Sequence, residues 1–176
     1  MRHLVELIRL RLRAGSDCPS RAIAWWGNGF HGFSHVDLLL PSGELLGARS
    51  DLITHKGVVY PAGVQIRPWD YEPDIRSAIV IFKSTRAQAA IWEAWARSKI
   101  GADYDRRNIV DLITGRRPKL NTGRFICSAF GTDSLQLPLL ELLPPLPVPP
   151  QQVTPDSLFI ACVAAGARYL EFGPSA

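Results

Sequence analysis

Thiol chemistry is the reactivity this sequence offers most directly. Cys127 follows a turn at Asn121-Thr-Gly123 and stands in an apolar segment, Phe125-Ile-Cys-Ser-Ala-Phe130. A cysteine opening a helix there meets free N–H groups and the positive end of the helix dipole. Both favour the thiolate and lower a thiol pKa from its free value of about 8.5. The same residue also fits a small buried hydrophobe, the usual fate of a free cysteine in an apolar run. A sulfur nucleophile further needs a base within hydrogen-bond reach and a third group to orient that base. Among His3, His31, His35 and His55, only His35 lies in a segment that reads as regular strand with a polar neighbour on its own side. Alternation along Phe33-Ser-His-Val-Asp-Leu-Leu-Leu40 puts His35, Asp37 and Leu39 on one face and Ser34, Val36, Leu38 and Leu40 on the other. In such a pair Cys127 attacks a carbonyl and His35 holds the thiolate, then protonates the leaving group. N–H groups including that of Cys127 receive the oxyanion, and the product is an acyl-enzyme thioester.

Other chemistries fit less well. Cys18, Cys127 and Cys162 are odd in number and widely scattered with no C-x-x-C spacing, which argues against a disulfide framework and a structural zinc site and for reducing, cytoplasm-like surroundings. A metal site from His31, His35 and Cys127 matches no standard ligand spacing. No cofactor motif is present. The net charge of +4 is modest, although Arg106, Arg107, Arg116, Arg117, Lys119 and Arg124 cluster before the cysteine. That Arg106–Arg124 cluster leaves open a non-catalytic module that binds nucleic acid or an acidic surface. Without interleaved aromatics it reads more simply as a solvated face, which argues against nucleic acid as a partner.

The elements that must position these residues are those of an α+β protein. At 176 residues with 47% hydrophobic and 20% charged residues, the chain suits one soluble domain over 1–176. The start, Met1 to Arg13, alternates apolar and basic residues and lacks the pattern of a signal peptide, and no apolar run reaches the roughly 20 residues of a membrane-spanning helix. Period two predicts a strand over Ile8 to Arg13, and Ser20 to Trp26 predicts a short helix ending at Gly27. After the histidine strand, the turn Pro41-Ser-Gly43 returns Glu44 to Arg49 as an antiparallel neighbour, Ser50 to Gly63 reads as a long loop, and Val64 to Arg67 as a third strand. Ala78 to Phe82 is uninterruptedly apolar and suits a strand covered on both faces.

Thr85 and Gln88 form a capping-box pattern before a helix with a stripe of Ala87, Ile91, Ala94, Trp95 and Ser98, stopping at Gly101. Asn108 is placed to cap Ile109 to Thr114. The Cys127 helix should stop before Pro138, Pro144 to Pro150 should run extended as polyproline II, and Thr154 with Pro155 should open a short terminal helix.

In this order the motifs resemble those of the circularly permuted, papain-like cysteine amidases and peptidases of the NlpC superfamily, relatives of the lecithin:retinol acyltransferase group. There a Ser-His-Val strand follows a Gly/aromatic link and a Cys-Ser motif opens a later helix. The matching residues are Ser34-His35-Val36 and Cys127-Ser128. Ser20 to Trp26, Gly101-Ala-Asp-Tyr-Asp105 and Thr154-Pro-Asp156 fall in the expected places, so the likeness runs from about Ile8 to Leu158.

The resemblance implies a permuted papain-like fold, an antiparallel sheet against helices, and a cysteine hydrolase acting on a peptide, a peptidoglycan fragment with its cell-wall cross-link, or a lipid amide. Acyl transfer to or from a lipid uses the same residues. Trp26, Ser34, Tyr104 and Ser128 are the expected substrate-binding positions; Trp25 and Trp69 are further cleft candidates, and core packing is the expected role of at least half of the four aromatic residues Trp25, Trp26, Trp69 and Tyr104. Where the family often carries an acidic residue, just before an alanine in the strand after the histidine, this chain has Gly47-Ala48. Glu44, Ser50, Asp51 and Asp37 are the available substitutes. Residues two apart on a strand point in parallel, which ranks Ser50 and Asp51 ahead of Asp37 as the residue that orients His35.

Overall fold

The computed structural model describes residues 5–15, 32–72, 76–113 and 123–173. The predicted helix over Ser20 to Trp26, with Trp25, Trp26 and His31, lies outside them, as do Cys18 and the central part of the basic cluster.

A six-stranded antiparallel sheet is built from β1 (Val5–Ala14), β2 (His35–Leu39), β3 (Leu45–Arg49), β6 (Gly63–Arg67), β7 (Arg76–Thr85) and β8 (Arg168–Phe172), in the order β6-β3-β2-β1-β7-β8. β1 is the central strand in sequence logic as well as in space. Its alternation puts Ile8, Leu10 and Leu12 on a fully buried face and Arg9, Arg11 and Arg13 on the other. The apolar face continues through Val36, Leu38, Ala48, Val64, Ala78 and Val80 and is covered by helices. These are α1 (Arg86–Arg97), α2 (Arg106–Ile113), α3 (Cys127–Leu135) and α4 (Pro155–Ala164). The architecture is therefore α+β, an antiparallel sheet packed against helices.

α3 approaches the sheet closely. A Cβ on Gly131 would lie 3.1 Å from Val36 Cγ1 and 3.0 Å from Leu158 Cδ2, so any side chain there would press the neighbouring side chains aside, and glycine lets this helix settle closely against β2 and α4. Its first residue, Cys127, is thereby brought to the start of the histidine strand.

Several expectations need correction. The segment 50–63 is not a loop but holds a hairpin, β4 (Ile53–His55) with β5 (Val58–Tyr60). Lys56 and Gly57 at its turn both take positive φ, +50° and +79°, the backbone of a tight hairpin turn supplied here by Lys-Gly in place of Asn-Gly. The inward face of α1 is Trp92 and Ala96, with Ala89 and Trp95 partly buried, whereas Ile91 of the expected stripe is exposed. The capping box of Thr85 with Gln88 is present. Asp105, not Asn108, caps α2 by accepting a hydrogen bond from the Asn108 N–H at 3.0 Å. β7 is longer than its apolar run and alternates: Ala78, Val80 and Phe82 face the core while Ile79 and Ile81 are only partly covered. The terminal strand β8 was not expected, since all its residues are exposed and its pattern carries no apolar alternation.

α4 begins as the sequence suggests, with Thr154 Oγ1 accepting from the Ser157 N–H and Pro155 in the first turn. Among the described residues no helix is long and apolar enough to cross a membrane.

Candidate active site

β2 pairs with β3 through Leu38↔Leu46 and Leu39↔Leu45, and the ladder stops there. Toward its beginning, the edge of β2 that would have faced β3 is met instead by Cys127. The thiol points at the Ser34 carbonyl oxygen, 4.0 Å from the sulfur, and the neighbouring Val36 N–H favours its thiolate form. A thiol thus occupies the place of a neighbouring strand, and the side chain of His35 reaches it.

Cys127 and His35 lie close enough for each to shift the other's titration: the thiol raises the His35 pKa and His35 lowers that of Cys127. The other side of the imidazole is held by Asp37, with His35 Nε2 at 2.9 Å from Asp37 Oδ1. Nε2 is committed to the carboxylate, which leaves Nδ1 as the ring nitrogen available to the sulfur. All three side chains are buried, with relative exposures of 5%, 7% and 1% for Cys127, His35 and Asp37.

Burial opposes charge on each of these groups, yet each is displaced toward its charged form. For His35, desolvation is outweighed by the charge and hydrogen bond of Asp37 and by Cys127, and its pKa is raised. For Asp37, desolvation is outweighed by His35 and then by the guanidinium charges of Arg13 and Arg67, which hold the carboxyl well below its usual range. For Cys127, desolvation is outweighed by His35 and the Val36 N–H, and its pKa is lowered. All three shifts run in the direction that favours a thiolate–imidazolium pair backed by a carboxylate. Cys162, buried with no such partner, has its thiol pushed up to about 12.

Cys127 is the first residue of α3, and its N-cap is Ile126, which offers no side-chain acceptor. An N-cap of Ser, Thr, Asp or Asn would consume first-turn N–H groups; an isoleucine leaves them for an anion arriving beside the sulfur. Tyr104 stands near the thiol. Its burial, followed by the negative charge of Cys127, raises its pKa and keeps the phenol neutral.

The carboxylate on the ring is therefore Asp37, and the ranking of Ser50 and Asp51 ahead of it is corrected. Asp51 is half exposed and turned to Arg49, whose Nε and Nη2 donate to its two oxygens at 3.0 and 3.1 Å. The Ser50 carbonyl accepts from Arg106. Glu44 is exposed in the Ser42 turn. The parallel-pointing objection to Asp37 fails because residue 47 is glycine: a Cβ there would come within 1.9 Å of Asp37 Oδ1, so the carboxylate lies in room that any other residue would fill.

Of the implied binding positions, Ser34 is spent within the fold. Its hydroxyl accepts from the Gly15 N–H at 3.1 Å and lies 3.4 Å from the Arg13 carbonyl, which ties the start of β2 to the end of β1. Ser128 is buried in the first turn of α3, Tyr104 is brought to the thiol, and Trp26 is outside the described residues. Trp69 lies under the Arg11 guanidinium, 4.1 Å from its ring centroid.

Two supporting residues were missed. Asp156 accepts from the N–H groups of Gly32 and Phe33 at 3.2 and 2.8 Å, so the Thr-Pro-Asp motif fastens α4 to the chain leading into His35. Tyr71 donates its hydroxyl to Asp37 Oδ2 at 2.9 Å. The Thr-Pro-Asp motif signalled the first; nothing local marked the second. Among the described residues no three His, Cys, Asp or Glu side chains converge as a metal-ligand set. No protein-family model matches the chain, and no curated protein matches its sequence.

Proposed function

We propose that this chain is a cysteine hydrolase of permuted papain-like architecture that cleaves an amide through an acyl-enzyme on Cys127. The observation that carries this reading is the His35 imidazole held between the Cys127 sulfur and the Asp37 carboxylate. In the reaction the thiolate adds to the substrate carbonyl, and the oxyanion takes hydrogen bonds from the Cys127 N–H and its first-turn neighbours. His35 gives its Nδ1 proton to the departing nitrogen as the C–N bond breaks, leaving a thioester. A water then gives a proton back to His35 and its oxygen to the carbonyl, the C–S bond breaks and the acid is released. Asp37 keeps the ring in one orientation and one tautomer throughout. A peptide, a cell-wall cross-link and a lipid amide are the substrate classes consistent with the resemblance.

The test is an activated acyl ester as a probe, followed by intact-protein mass spectrometry. A single acyl adduct on Cys127 that forms in the native protein, fails in His35→Ala and is discharged by water supports hydrolysis. Discharge mainly to an added amine or alcohol moves the assignment to acyl transfer, and acylation spread equally over all cysteines refutes the nucleophile.

A further inference from the structure

Asp37 sits close to several guanidiniums, and an aspartate so placed would ordinarily turn to one of them for a bidentate pair. It is instead aimed at His35, and Tyr71 supplies the reason. Its hydroxyl takes Asp37 Oδ2, while its ring packs against Leu39 and Leu45 in the small apolar cluster on the outer face of the sheet. The same ring has Arg13, Arg49 and Arg67 around it, with guanidinium carbons 5.4, 5.5 and 5.8 Å from its centroid. Arg13 and Arg49 both pair with Glu72, the next residue in the chain. Arg67 spends its Nη atoms on the carbonyls of Gly47, Pro61, Gly63 and Gln65. Each arginine has thus been given other work around a phenol that itself holds the carboxylate.

We infer that Tyr71 is a positioning residue of the site: by holding Asp37 Oδ2 amid three arginines it keeps Oδ1 on the His35 ring. This rests on the thiol–imidazole reading above. Without the hydroxyl the carboxylate turns toward the guanidiniums, His35 loses its partner, and the imidazolium that sustains the thiolate weakens.

The experiment is the pH dependence of Cys127 alkylation by iodoacetamide in the native protein and in Tyr71→Phe, which keeps the ring and removes the hydroxyl that donates to Asp37 and accepts from Arg49 Nη1 at 3.5 Å. The acid limb is expected to move up by about one pH unit, so that the rate at a pH below the limb falls about tenfold. An unmoved limb, or one shifted to lower pH, in a variant with native circular dichroism overturns the inference while leaving the dyad intact. Failure of the dyad itself looks different: the native protein then shows no acid-shifted limb and His35→Ala changes nothing. Should Tyr71→Phe not fold, proton NMR of the native protein decides. A slowly exchanging Tyr71 hydroxyl proton whose shift follows the His35 titration is expected, and a hydroxyl insensitive to that titration overturns the inference.

Discussion

The Asp37 carboxylate occupies the space that a side chain at Gly47 would fill, with Oδ1 only 1.9 Å from where the Cβ of residue 47 would stand. The strand beside the histidine carries no acid, and the acid on the histidine strand lies down into the gap. Gly47→Ala is expected to force Asp37 off His35, costing about 1–3 kcal/mol by overpacking and lowering Cys127 alkylation near neutral pH. The reciprocal exchange is more telling. Asp37→Ala with Gly47→Asp moves the carboxylate to the neighbouring strand, and should recover a substantial part of the reactivity that Asp37→Ala alone loses. Alkylation rates of the three variants check this.

Cys127 and Cys162 are both buried, and only one has a charge partner. Iodoacetamide should modify Cys127 well below pH 8, whereas Cys162, with its thiol near 12, stays unmodified while the fold persists. His35→Ala should remove the advantage of Cys127, read by peptide mapping after timed alkylation.

Stability should depend on pH from two directions. Asp37 has a depressed folded pKa, so its contribution is present above the unfolded value of about 3.9 and is lost as pH falls through the folded value. His35 has a raised folded pKa, so its contribution is complete below about 6.5 and is lost as pH rises through the folded value. From these two groups alone the Tm maximum falls between these limits, and the lowered pKa of Cys127 opposes the alkaline loss, because its contribution grows as pH rises toward the free thiol value of about 8.5. Asp37→Asn should flatten the acid side, and His35→Gln the alkaline side.

Asp156 ties α4 to the segment before β2 through two backbone N–H groups. Asp156→Ala strands buried donors and should cost about 2–3 kcal/mol, a fall of several degrees in Tm. Because the same contact fixes the approach to His35, the alkylation advantage of Cys127 should shrink in the folded variant. Calorimetry with alkylation separates the two effects.

Much of the frame was legible in the sequence because it follows from near neighbours. Strand alternation put His35 and Asp37 on one face and sorted the β1 arginines from its core residues. The Thr85 and Thr154 caps were readable because a cap is satisfied within three residues. The hairpin at 53–60 was not, since its strands are three residues long and its turn uses Lys-Gly. Nor was β8, whose exposed residues carry no pattern and which exists through its pairing with β7. The orienting carboxylate illustrates the limit most clearly. Sequence spacing favoured Ser50 and Asp51, but the reach of a side chain depends on the volume left by residues remote in the chain. An absent Cβ at Gly47 opened the room, a bidentate arginine withdrew Asp51, and the Tyr71 hydroxyl, thirty-four residues away, closed the other side of Asp37. The sequence determined which faces and helix ends its residues would share; the tertiary structure alone decided which of them would touch, because contact is fixed by packing and not by spacing along the chain.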